Sequence, residues 1–214
     1  MSEKLIANYD KMYKLLEKAI PSNAVDYCFD IWLNFPFHFK INKDRRTKLG
    51  DYRFHHNTQF HVITINQGLN PYAFLITYIH EVAHRITMEE HGRKVSPHGK
   101  EWKQTYSTLL QALLSKNIFP KDIIIPLANH INQPKASSCA DPVLYQVLKK
   151  YDPEISSINT LLKNIKTGEK FIFRDKTYIK EITKRTRALC KEVATGKKWL
   201  IPLVMEVDIV HSHS

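Results

Sequence analysis

The sequence has only three cysteines, and they lie far apart. Cys28, Cys139 and Cys190 include no pair at the short spacing of a zinc ribbon, and an odd number is not typical of a disulfide framework. This use of cysteine favours a reducing compartment, so we predict a cytoplasmic protein. Six glycines and ten prolines among 214 residues exclude a collagenous or low-complexity chain.

Long apolar runs are also missing. No stretch approaches the roughly 18 uncharged apolar residues that a membrane span requires. Charged residues occur throughout the first 21 positions, which is not the pattern of a signal peptide. We therefore expect no membrane partner.

The balance of charge is strongly positive. Lysine and arginine number 32 against 21 acidic residues, which gives a net charge of +11 and a pI of about 9.5. Such an excess suggests nucleic acid or another polyanion as a partner, although a solvated basic surface would give the same charge. Two dense groups of cations are candidate phosphate contacts: Arg45, Arg46 and Lys48 in the first, and Lys184, Arg185, Arg187, Lys197 and Lys198 in the second.

The pattern of apolar residues changes along the chain. Helical spacing dominates the first 135 residues, with a small antiparallel sheet expected among them, and short strands dominate residues 158–211. The segment 136–157 resembles a connector with one short helix. We predict an α+β fold in which a helical domain, 1–135, is followed by a small basic β-rich domain, 158–211, with a net charge of +6.

Local signals define the elements around the most informative motif. Two strands are expected at Asp51–His55 and Phe60–Asn66. Asn70-Pro71 favours the start of a long helix that runs to about Glu90. Ser96-Pro97 predicts the start of the next helix, with Ser96 as its cap.

That motif is His80-Glu81-Val82-Ala83-His84, on the predicted long helix. Two histidines four residues apart project from one helix face, close enough to bind one zinc ion. Glu81 lies where it can take a proton from water that zinc has acidified and deliver it to a departing amine. The pattern predicts one Zn²⁺ per chain and Glu81 as the catalytic residue; a pair of buried structural histidines is the alternative.

A catalytic zinc site needs a third protein ligand. His91 is seven residues past His84 on the same helix, about 10.5 Å along its axis, and is too far away to share the ion. His98 is favoured, because the turn after Gly92 can bring the following residues back towards the metal. Glu101 is the acidic alternative.

These residues resemble the SprT-like zinc metalloproteases, a family related to Spartan. The likeness covers about residues 25–125 and rests on His80–His84, on Ser96–Trp102 (SPHGKEW) and on the upstream segment LGDYRFHHNTQFHVITINQGL. The resemblance implies a zincin-like fold, hydrolysis of peptide bonds, a third zinc histidine at His98, and the DNA association found in several members. Many bacterial relatives also carry a C-terminal zinc ribbon of paired cysteines, which this sequence lacks.

Three hypotheses about function follow. The leading one is a zinc-dependent peptidase with His80, His84 and His98 as ligands; it acts on protein substrates, and DNA-associated proteins are expected among them. The second is a zinc-containing nucleic-acid-binding module with little or no proteolysis, against which the retained Glu81 argues. The third is a docking protein whose basic C-terminal region recognises acidic protein surfaces.

Overall fold

A computed structural model describes residues 3–45, 48–135, 141–152, 159–174 and 176–209. The chain divides into two compact units, Met1–Asp152 and Pro153–Ser214. Helices and a three-stranded sheet form the first unit, and a six-stranded antiparallel sheet forms the second. The α+β fold class with a β-rich C-terminal region is therefore confirmed. Arg46 and parts of the predicted connector, 136–140 and 153–157, lie outside the described residues.

The described part of the first unit has six helices and three strands around one apolar core. In chain order these are α1 (Glu3–Ala19), α2 (Val25–Asn34), β1 (His38–Asn42), β2 (Gly50–His55), β3 (Phe60–Asn66), α3 (Pro71–His91), α4 (Lys100–Leu114), α5 (Lys121–Asn132) and α6 (Pro142–Lys149). Trp102, Tyr78 and Tyr106 are among the largest fully buried side chains. None of the helices described combines the length and apolar character needed to cross a membrane.

Helix α3 is central to this core, and its ends follow from the sequence. The Asn70 side chain caps it by accepting hydrogen bonds from the backbone N–H groups of Tyr72 and Ala73. Pro71 at the first position has no N–H to lose there. Gly92, with φ of 65°, ends the helix in a left-handed conformation that favours glycine.

The first sheet is mixed, with β3 at its centre. Strand β2 pairs with β3 in the antiparallel sense, as the sequence predicts, whereas β1 pairs with β3 in the parallel sense. The loop after β1 carries the chain past the end of β3, so β2 is added on the far side of β3. Asn66 fixes this crossing, because its side-chain amide donates to the backbone oxygens of Arg45 and Lys48, at 3.2 and 2.9 Å.

Helix α6 falls within the predicted connector but packs into the first unit. Leu144 and Leu148 are buried in the same core as α3. The side chain of Asn70 donates to the backbone oxygen of Leu148 at 2.9 Å and to Asp152 at 2.6 Å. These contacts join the start of α3 to the end of α6.

The second unit is an antiparallel sheet with the strand order β4-β9-β5-β6-β7-β8. Its strands are β4 (Asn159–Leu161), β5 (Lys170–Phe173), β6 (Lys176–Thr183), β7 (Arg187–Glu192), β8 (Lys198–Pro202) and β9 (Glu206–Ile209). Phe171, Cys190 and Ile201 contribute to its core. Trp199 remains 48% exposed because β8 is an outer strand.

Candidate metal centre and active site

Helix α3 brings two of the proposed ligands together. His80 and His84 are one turn apart on the same helix face, and their Nε2 atoms are 3.3 Å apart. Both rings are partly buried. This arrangement follows directly from the helix that the sequence predicts.

The turn after α3 supplies the third histidine. The Nε2 atom of His98 lies 3.0 Å from that of His84 and 3.1 Å from that of His80. Helix α4 begins at Lys100, not at Ser96-Pro97 as the sequence suggested. Residues 96–99 instead form a turn, in which the Gly99 N–H donates to the Ser96 oxygen at 2.9 Å. His98 has φ of 60°, so a left-handed backbone conformation directs its side chain.

His80, His84 and His98 form the only group among the described residues that offers three metal-binding side chains at one point. Glu101, the acidic alternative, lies in the first turn of α4 and is not part of this group. His91, at the end of α3, is outside it as well. The structure therefore favours His98 as the third candidate ligand.

The chemistry of this group suits a zinc ion. Burial and the neighbouring histidines lower the pKa of His80 to about 2, and burial lowers the pKa of His84 to about 4, so the rings are neutral near pH 7. Neutral imidazole nitrogens bind zinc at about 2.0–2.1 Å, which in a tetrahedron puts them about 3.3 Å apart. The observed separations of 3.0–3.3 Å agree with that value.

Aromatic rings from α4 pack against the three histidines. Trp102 is buried, and its ring centroid is 4.6 Å from those of His80 and His98. The same indole stacks on His84 at 5.2 Å and on Tyr106 at 4.8 Å. These contacts restrict the rotation of the imidazoles, which preorganises them for one metal ion.

The side chain of Glu81, the residue that follows His80 on α3, is buried against strand β2. A Cβ atom on Gly50 would come within 2.8 Å of the Glu81 Cγ and the Thr77 Cγ2, so glycine leaves the space that Glu81 needs. The backbone N–H of Tyr52 donates to the carboxyl group. Burial and the charge of Asp51 outweigh that hydrogen bond and raise the pKa of Glu81 to about 8 in the metal-free protein.

Gly50 and Tyr52 are parts of the site that sequence reasoning missed. The Tyr52 ring lies parallel to that of His84, with centroids 6.3 Å apart. Its hydroxyl group is 2.8 Å from Nδ1 of His61 on β3. The available signal was the isolated glycine at the start of a strand, which often marks close approach by another group.

The first group of candidate phosphate contacts is held by contacts within the protein. Arg45 donates to the Asn66 side chain at 2.9 Å and to the Thr64 backbone oxygen at 3.1 Å. Lys48 forms an ion pair with Asp51. These two cations are less free to bind phosphate than the sequence suggested.

The second group lies on the surface of the second unit. Lys184, Arg185, Arg187 and Lys197 are exposed on or beside strands β6 to β8. Lys198 is also exposed and pairs with Glu181 at 2.9 Å. The prediction that this group contacts nucleic acid stays a prediction.

The first unit has the features of a metalloprotease-like domain. One helix carries a histidine pair and a glutamate, the following turn supplies a third histidine, and a small sheet lies alongside. A comparison with protein-family models agrees with this class, since the model of the SprT-like family matches residues 11–120. The match spans 110 of the 214 residues, and the chain belongs to the SprT-like family. Neither the curated proteins nor the solved structures include a significant match.

Proposed function

We propose that the protein is a zinc-dependent peptidase that hydrolyses peptide bonds of protein substrates. One observation carries the proposal: three Nε2 atoms lie 3.0–3.3 Å apart, and helix α3, which supplies two of them, also carries the buried carboxyl group of Glu81, which is not one of the three candidate ligands. His80, His84 and His98 would hold the ion, which leaves a fourth tetrahedral position for water or substrate. Glu81 is the catalytic residue of the proposal.

The residues around the ion have separate tasks. When bound, zinc supplies a Lewis acid that polarises a carbonyl group and acidifies water. Glu81 accepts the proton of the attacking water and returns it to the amine that leaves. The Tyr52 N–H holds the Glu81 carboxyl group in place for both transfers, and Gly50 leaves the space that the Glu81 side chain occupies.

Metal dependence tests the proposal. The zinc-loaded protein is expected to cleave a disordered protein such as casein, to stop when the ion is chelated, and to recover with one equivalent of Zn²⁺. His98→Ala should lose both the metal and the cleavage, whereas His91→Ala, which alters a histidine outside the group, should keep both. Cleavage that survives chelation would contradict the proposal.

We also propose that DNA-associated proteins are among the substrates. The family resemblance, the net charge of +11 and the exposed cations of the second unit support this. A basic DNA-binding protein should be cleaved faster with DNA present, in either single- or double-stranded form. The stimulation should weaken steeply with salt, because phosphate contacts release counterions.

A charge-reversed pair of variants locates the DNA contacts. Lys184→Glu with Arg185→Glu should reduce the DNA stimulation, whereas Lys163→Glu with Lys170→Glu makes the same change of charge at other exposed positions and should reduce it less. Equal effects would indicate a general charge effect. Tight DNA binding by the zinc-loaded protein without any cleavage would instead favour the nucleic-acid-binding module.

We propose that this activity takes place in the cytoplasm, because three widely spaced cysteines are typical of a protein in a reducing compartment. Cys28 and Cys190 are free and buried.

A further inference from the structure

Strand β2 continues past the catalytic group with a row of aromatic and imidazole rings. Tyr52 lies parallel to His84 and also to His61, whose centroid is 6.0 Å from its own. Phe54 follows two residues later and stacks on His61 at 4.7 Å. The rings therefore form a continuous wall that begins at the metal-binding group and extends along the β2–β3 hairpin.

The wall carries no charged side chain from β2. Alternate residues of a strand share a face, so Gly50, Tyr52 and Phe54 lie on one side of β2. Asp51 and Arg53 lie on the other side, where they pair with each other at 2.6 Å. His61 is directly opposite Phe54 in the antiparallel register and completes the wall.

Charges do lie near these rings, from α3. Arg85 and Glu89 influence the pKa of His61, which burial lowers, and they form an ion pair with each other at 2.7 Å. The two charges act on the pKa of His61 in opposite directions and so partly cancel there. The surface is therefore suited to an uncharged group.

The two rings of β2 differ in how they are held. Tyr52 packs against the core of the first unit, and its hydroxyl group is anchored on His61. Phe54 is half-buried; among the described residues its contacts with other aromatic rings are with His56 and His61 of the same hairpin, and it is not among the side chains packed on the core. Phe54 thus offers apolar surface that the core does not use.

The position of Glu81 indicates which side of the cleaved bond lies along the wall. Glu81 returns its proton to the leaving amine, so the amine side of the cleaved bond lies towards Glu81 and Gly50. The wall starts at Tyr52 and leads away from Gly50. An extended peptide that follows the outer strand β2 would place the side chains of its acyl side along these rings.

We propose that Tyr52, Phe54 and His61 form a substrate subsite that selects an aromatic or large aliphatic side chain within three residues on the acyl side of the cleaved bond. This subsite rests on the proposed peptidase function and adds a specificity to it. Burial of one such side chain against rings contributes enough free energy for about a tenfold preference over alanine.

Cleavage of a peptide library, with product ends identified by mass spectrometry, tests the preference. Phenylalanine, tyrosine and leucine should be enriched within three residues before the cut. Phe54→Ala should lower kcat/KM about tenfold for peptides with an aromatic residue there and change it little for peptides with alanine. Enrichment after the cut, or a preference that Phe54→Ala leaves intact, would overturn the proposal.

Two further variants guard against an effect on folding. Phe60 lies on the same hairpin, is 52% exposed and pairs with His55 on the opposite face, so Phe60→Ala should keep the preference. Phe54→Glu should shift the preference towards lysine and arginine. A gain for basic peptides cannot come from a misfolded protein, and its absence with Phe54→Glu folded would count against the subsite.

A binding measurement separates the subsite from the peptidase activity. Acetylated tripeptides with a free carboxylate imitate the acyl-side product and can be titrated calorimetrically into zinc-loaded Glu81→Gln. Phenylalanine at one of the three positions should make the tripeptide bind about tenfold more tightly than trialanine, and Phe54→Ala should abolish the difference. If this preference is found but the wild type cleaves nothing, the proposed function fails and the subsite stands; equal binding would refute the subsite.

Discussion

The local environment strongly changes the acid–base chemistry of Glu81. In the metal-free protein its folded-state pKa is about 8, against about 4.3 for an exposed glutamate. The folded state therefore binds more protons than the unfolded state between these values. The free energy of unfolding should consequently fall as the pH rises from about 5 to about 8.

Glu81→Gln removes this titration, so the difference in unfolding free energy between the variant and the wild type should depend on pH. We expect the metal-free variant to gain stability relative to the wild type as the pH rises through this range, by about 1.4 kcal/mol per unit of pKa shift. The gain should level off above about pH 8, where the folded carboxyl group has lost its proton. Thermal unfolding with chelator at pH 5, 7 and 9 measures it; a constant difference would contradict the assigned environment of Glu81.

Gly50 provides a second test at the scale of one residue. A methyl group there would meet the buried side chains of Glu81 and Thr77, so Gly50→Ala should cost about 1–3 kcal/mol in unfolding free energy and displace the carboxyl group. Peptidase activity should fall while zinc binding is retained. Gly68→Ala is the matched control, because the atoms nearest to its methyl group belong to the exposed side chain of Asp44 and not to a buried carboxyl group. An active Gly50→Ala variant would show that this contact does not position Glu81.

The candidate metal ligands could be predicted from the sequence more readily than the residues that position Glu81. His80 and His84 follow from helix geometry alone, because both lie on one predicted helix. The conformation of His98 could not be predicted, since a left-handed backbone is rare for histidine and depends on the turn around it. Gly50 and Tyr52 meet Glu81 only after β2 has packed on α3. The isolated glycine indicates a close approach, but no local pattern identifies a partner about 30 positions away.

Helix α3 depends on a single capping residue, Asn70. Asn70 accepts two hydrogen bonds from the first turn of α3 and donates two to the end of α6. Asn70→Ala should therefore cost more than the roughly 1 kcal/mol typical of an N-cap, because it also leaves the Leu148 oxygen without this donor.

Asn70→Asp separates the two roles. Aspartate retains the acceptor for the first turn of α3 but cannot donate to Leu148, and it introduces a charge beside Asp152. Denaturant unfolding of the three proteins should place Asn70→Asp below the wild type. Wild-type stability in Asn70→Ala would show that neither set of hydrogen bonds matters.

The elements themselves were well predicted where the local signals agree. Helix α3 has a cap, a proline and a terminal glycine, and β3 has the bounds that its β-branched run predicts. The predicted start of α4 at Ser96-Pro97 was wrong. These two residues are typical of a helix start, but here they belong to the turn before Lys100. The parallel pairing of β1 with β3 depends on the crossing held by Asn66, which is a long-range contact.

The two compact units define where the molecule can be divided. Residues 1–152 contain one core that includes Leu144 and Leu148 of α6, whereas a cut at 135 removes both leucines. We expect 1–152 to unfold cooperatively and to bind one Zn²⁺. The shorter fragment 1–135 should be less stable by several kcal/mol, since each buried leucine contributes about 1.5–3 kcal/mol.

Calorimetry of both fragments checks this prediction. Equal stability would show that α6 does not belong to the core of the first unit. Failure of 1–152 to fold would mean that the second unit is required for the fold of the first.

The most direct test of the central claim compares the wild type with Glu81→Gln after both have been loaded with zinc. Metal analysis should give one ion per chain in each, since the substitution leaves His80, His84 and His98 in place. The wild type should then cleave a disordered protein substrate. The variant should cleave it at least about 100-fold more slowly, because the proton transfer by Glu81 is lost. Equal cleavage by the two proteins would contradict the catalytic role of Glu81, and no cleavage by a fully loaded wild type would contradict the proposed peptidase function.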